Sequence, residues 1–188
     1  MKVRKNNQGF TLVELIVSTA ILGIIALAAS AFMVAGTQTY SSLNYAVRLQ
    51  YEAQLVMAQL QEYTVDCTKG IAWDATQKTL YIANEDGDPD TDDAVVHVFV
   101  HNGAEDAQNI VYKRSDGIVE DITNTTFAVD ALMAEHVKSM NVAFDGNQAK
   151  ITLEMVRGNK TYSATQVIAL RNQPTQATNW ANLWNSIK

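Results

Sequence analysis

Glu14 is the only charged residue between Lys5 and Arg48, and it stands in the run Phe10-Thr11-Leu12-Val13-Glu14-Leu15-Ile16-Val17. An ionised carboxylate in apolar surroundings is costly even on lenient insertion scales, so it calls for a partner or for the headgroup layer of a bilayer. A second concentration of acid, Asp86, Asp88, Asp90, Asp92 and Asp93, repeats carboxylates at nearly every other position. That is how a loop brings several oxygen ligands around calcium. Without an ion the same loop is a solvated segment that deters aggregation at a sheet edge. His97 and His101 share one face of a strand about 13 Å apart, too far to chelate one ion. The sequence holds no nucleophile motif, phosphate-binding loop, glycine-rich dinucleotide turn or metal-ligand cluster. It reads as a non-enzyme that requires no cofactor, with calcium at the acidic loop as the one cofactor its spacing suggests.

The elements around Glu14 explain its setting. Residues 15–36 carry no charge, enough for the roughly 20 residues a helix needs to cross hydrocarbon. Lys2, Arg4 and Lys5 precede this stretch and no basic residue follows it until Arg48, which places the N-terminus in the cytoplasm and the remainder outside. A secretory signal cut near Ala29-Ser30-Ala31, leaving Phe32 first, is the competing reading. It leaves Glu14 without purpose, and the apolar run exceeds the usual signal core of about 7 to 15 residues.

The basic leader, Gly9, Phe10 and Glu14 together resemble the class III signal of type IV pilins and pseudopilins, a match specific over the N-terminal region. The resemblance implies that a prepilin peptidase, a membrane aspartyl enzyme, cuts between Gly9 and Phe10 and methylates the new amine of Phe10. Glu14 becomes the fifth residue of the mature chain. In that family it meets the methylated amine of a neighbouring subunit during filament assembly, so the implied partners are other pilin or pseudopilin subunits, the peptidase, the inner-membrane assembly platform and the membrane itself. Where many major pilins have a proline in the helix this chain has Ala31, which favours a minor subunit. The implied fold is α+β: a long N-terminal helix, its first half membrane-spanning, packed on an antiparallel sheet head. The expected organisation is a leader over 1–9, a membrane and filament-core helix over 10–36, and an extracytoplasmic domain over 37–188 whose helix runs to about 66. The chain would be a single-pass membrane protein that passes into an extracellular or periplasmic filament. The alternative function is a surface binding module, secreted or anchored, that never polymerises.

Beyond the membrane, Ala46, Leu49, Ala53, Val56, Leu60 and Tyr63 recur at spacings of three and four, a stripe that should bury against a sheet. Strands are predicted over 70–73, 79–83 and 94–101, the last with Val96, Val98 and Val100 on one face. Residues 109–114 and 117–121 read as a hairpin and 127–136 as a short helix. A meander follows over 137–144, 149–156 and 161–170, with turns at Asp145-Gly146-Asn147 and Gly158-Asn159. Its ending, Leu170-Arg171-Asn172, loosely resembles minor pilins and pseudopilins of the group that includes the J-type tip subunit. Trp180, Leu183, Trp184 and Ile187 form an apolar face after a cap at Thr178 or Asn179. Trp180 and Trp184 either pack on the domain or anchor another subunit.

The acidic loop follows the first half of an EF-hand but places Thr91 where glycine belongs and His97 where glutamate belongs. Removing the three leader cations from 14 basic residues leaves 11 against 20 acidic ones, which disfavours direct binding of nucleic acid. The single cysteine, Cys67, cannot form an internal bridge. It reads as a buried residue at the helix end.

Overall fold

The computed structural model describes residues 10–85, 94–104, 108–115, 127 and 129–187. Helix α1 runs over Leu12–Val65 for 54 residues, uninterrupted because no proline occurs before Pro89 to remove a backbone donor. The chain divides into two compact units, Met1–Asn44 and Tyr45–Lys188.

In the first unit every side chain from 10 to 41 is exposed. The hydroxyls of this stretch turn back on the helix: Ser18 Oγ donates to the Glu14 carbonyl at 2.6 Å, Thr19 to Leu15 at 3.0 Å, Ser30 to Ala26 at 2.8 Å and Thr37 to Val34 at 2.9 Å. Such bonds leave few polar groups seeking partners, which is what hydrocarbon demands of a spanning helix.

In the second unit β1 (Gly70–Asp74), β2 (Thr79–Glu85), β3 (Ala94–Asn102), β4 (Asn109–Ser115), β5 (Val129–Glu135) and β9 (Thr175–Ala177) form a six-stranded sheet. Its order is β5-β4-β3-β2-β1-β9, antiparallel except for the parallel pair of β1 with β9. Strands β6 (Val137–Asp145), β7 (Gln148–Arg157) and β8 (Lys160–Ala169) form a separate three-stranded meander. The expected single sheet is therefore two. The switch falls at His136, held at φ 62°, whose carbonyl accepts the Val156 N–H at 2.8 Å. Its turns follow the expected glycines, Gly146 and Gly158, both at positive φ as tight hairpins require.

The central strands alternate between two cores. Ile71, Leu80, Ile82 and Phe99 point to the side where Leu49, Ala53, Val56, Met57 and Leu60 of α1 pack with Ile151, Leu153 and Met155 of the meander. Ala72, Tyr81, Ala83, Val96 and Val98 point to the other, where helix α2 (Trp180–Ile187) lies. The α1 stripe is buried from Leu49 to Leu60 and half-buried at Tyr63, but Ala46, expected to begin it, is exposed.

Two expectations are corrected. Residues 129–135 form strand β5, where a helix was expected over 127–136. Ala, Leu, Met and Glu favour helix by propensity, yet the free edge of β4 recruits them as a strand, pairing Ile110 with Ala134 and Tyr112 with Ala131. Both sides of β4 are taken, by β3 and β5; the hairpin expected between 109–114 and 117–121 cannot be placed from 109–114 alone. Residues 117–121 themselves lie outside the described residues. Strand β9 had no sequence signal in Thr175-Gln176-Ala177.

Candidate functional site

The N-terminal end of α1 is organised around Glu14. Thr11 precedes the first helical residue, and its backbone N–H and hydroxyl both donate to Glu14 Oε2 at 3.0 Å, while the Glu14 N–H donates to Thr11 Oγ1 at 3.3 Å. This reciprocal pair is a capping box, a Thr followed three residues later by Glu, which satisfies otherwise orphaned donors at a helix start. The T-x-x-E spacing at Thr11 and Glu14 is the sequence signal of that cap. Glu14 therefore has a partner within its own chain, and its carboxylate lies one turn from Phe10, which is 83% exposed. Gly9 lies outside the described residues.

The apolar surface that follows is continuous. Leu15, Ile16, Ile21, Leu22, Ile25, Leu27 and Phe32 are each more than half exposed, and α1 is long and apolar enough to cross a membrane. A polypeptide does not leave such a surface in water.

The family described as the prokaryotic N-terminal methylation motif matches residues 4–30. That span covers the basic residues Arg4 and Lys5, Gly9, Phe10, the capping box and most of the apolar run. The chain fits a type IV pilin or pseudopilin. The long helix followed by a β-sheet head is the matching architecture; pilin-like proteins are typically structural, and the apolar N-terminal helix suggests membrane anchoring. No curated protein and no solved structure matches the chain.

The other predicted sites separate clearly. Asp86, Asp88, Asp90, Asp92 and Asp93 lie outside the described residues. Trp180 and Trp184 are buried against the second face of the six-stranded sheet, with ring centroids 5.9 Å apart and the Tyr81 ring 5.6 Å from Trp180. The structure places them in the head's own core, under a helix capped by Asn179, whose Oδ1 accepts the Asn182 N–H at 2.8 Å. His97 Nδ1 lies 2.8 Å from the Tyr112 hydroxyl within a cluster of Tyr63, Phe99 and Tyr112 rings. His101 is buried on β3 and is directed at the Val137 carbonyl at 2.9 Å. A carbonyl only accepts, so Nε2 carries the proton. Burial holds its pKa below the ordinary histidine value, the bond to Val137 opposes that shift, and nearby Lys78 adds to it. Cys67 is fully buried, its Sγ 3.1 Å from the Gly70 carbonyl, and burial pushes the thiol up to about 12.

A second stripe on α1 went unpredicted. Val47, Tyr51 and Leu55, at i, i+4 and i+8, form an apolar row exposed by 64%, 68% and 46%. With Arg48, Glu52 and Arg157 they line a groove of about 410 Å³. The signal was a second helical period offset from the buried one.

Proposed function

We propose that the chain is a structural subunit, a minor one, of a type IV pilus or a type II secretion-like pseudopilus. Prepilin peptidase cuts after Gly9 and the amine of Phe10 is methylated. In the filament the Glu14 carboxylate then exchanges its capping contact with Thr11 for the methylated amine of a neighbouring copy or sibling, an attraction strengthened where water is excluded. The observation that carries this reading is the coincidence of Gly9, Phe10 and Glu14, inside the methylation motif, with a helix whose first half is apolar on every side. The exposed Val47, Tyr51 and Leu55 stripe supplies further surface for lateral packing of helices.

Glu14→Ala tests the pairing role. The variant should fold and insert like the wild type yet enter filaments at a tenth of the wild-type level or less, scored by immunoblot of sheared fibres. Glu14→Gln, which keeps a cap acceptor but not the charge, should fail equally. Wild-type incorporation of either variant would remove the role from Glu14.

A further inference from the structure

Each sheet of the head has two edges, and three of the four are short, irregular or contacted at one end. Strand β9 is three residues long. The β5 edge is closed at Glu135, whose N–H donates to Glu52 Oε1 of α1 at 2.9 Å. The β6 edge shifts register between Val137 and Ser139 and carries the Lys138–Glu154 ion pair at 2.8 Å. Strand β8 differs. It is ten residues long, pairs with β7 without a register break from Lys160 to Ala169, and has no charged residue over 161–170.

The direction of its backbone groups follows from one bond. The Leu170 N–H donates to the Asn147 carbonyl at 2.9 Å, so even-numbered residues of this ladder face β7 and odd-numbered ones face away. Thr161, Ser163, Thr165, Val167 and Ala169 thus turn their N–H and C=O groups outward, and their side chains are exposed. Among the described residues no backbone hydrogen bond reaches that edge. Proteins ordinarily blunt such an edge with charge, proline, a bulge or brevity, and β8 has none of these along 161–169.

We propose that the outer edge of β8 is a docking site for an extended strand from the head of a neighbouring pilin-type subunit, uncharged at its centre and carrying carboxylates toward the β7–β8 turn. A row of alternating donors and acceptors selects an extended backbone. Charge selects the rest at the turn end of the strand: Arg157 and Lys160 pair there, and the nearest carboxylate, Glu154 opposite Ser163, is engaged by Lys138. Carboxylates on an incoming strand would meet those two cations beside the turn.

This rests on the subunit reading above, and hydrogen–deuterium exchange separates the two. In the full chain dispersed in detergent, the odd-numbered amides of 161–169 should exchange at least tenfold faster than in filaments visible by electron microscopy. Filaments in which those amides stay fast overturn the docking site alone; absence of the chain from any filament overturns both readings. Thr165→Pro removes an outward N–H that the fold does not use, a substitution edge strands accept. It should leave the melting temperature of the dispersed chain within a few degrees and lower filament incorporation at least tenfold, whereas unchanged incorporation of the folded variant overturns the site. Should the proline variant fail to fold, the exchange result decides.

Discussion

The two halves of α1 share one secondary structure and differ in what surrounds them. From 10 to 41 every side chain is exposed, the residues are apolar on all sides, and the hydroxyls bond back to their own helix. From 49 to 60 the same helix buries one stripe, Leu49, Ala53, Val56, Met57 and Leu60, against two sheets. A helix apolar all round belongs to lipid or to other helices, and one with a single buried stripe belongs to a globular head. The comparison teaches that the first half is built for partners absent from the monomer, while the second completes the fold.

Paired substitutions sharpen that contrast. Leu60→Ala should destabilise the head by about 4 kcal/mol, within the range for a fully buried leucine, measured by denaturant melts in detergent. Leu22→Ala, on a side chain 65% exposed, should leave the same melt unchanged. Equal losses from both would mean that the first half packs on the head and would break the comparison.

A smaller effect is expected from pH. Burial lowers the pKa of His101 in the folded head, so below about pH 6.5 the unfolded chain binds a proton that the native state refuses. Stability is therefore fully present above that value and declines as pH falls through it, until the lowered native pKa is reached. The melting temperature should drop between pH 7.5 and 5, and His101→Gln should flatten the slope. The smallest effect concerns Cys67: buried and with its thiol pushed up to about 12, it should resist alkylation at pH 8 in the native head and react fully in denaturant.

How much of this was legible depended on the kind of signal. The methylation motif was readable because a carboxylate is too costly to stand by chance in an apolar run, and Glu14 keeps a fixed spacing from Gly9. Strand β3 was readable because Val95 to Val100 is dominated by β-branched and aromatic residues, and the hairpin turns because Gly146 and Gly158 supply positive φ. Strand β5 was hidden because Ala131, Leu132, Met133 and Ala134 favour a helix in isolation, and only the edge of β4, supplied by tertiary structure, overrides them. The split into two sheets was hidden for a related reason: the turn at His136 has no glycine to announce it. Trp180 and Trp184 were legible as a helical face, and the structure assigns that face to the head.

The most direct test is the intact mass of the mature protein from its native host, with fragmentation of its first residues. The account predicts a chain beginning at Phe10 and carrying one methyl group on the terminal amine. A chain that retains Met1, or begins at Phe32, would contradict it.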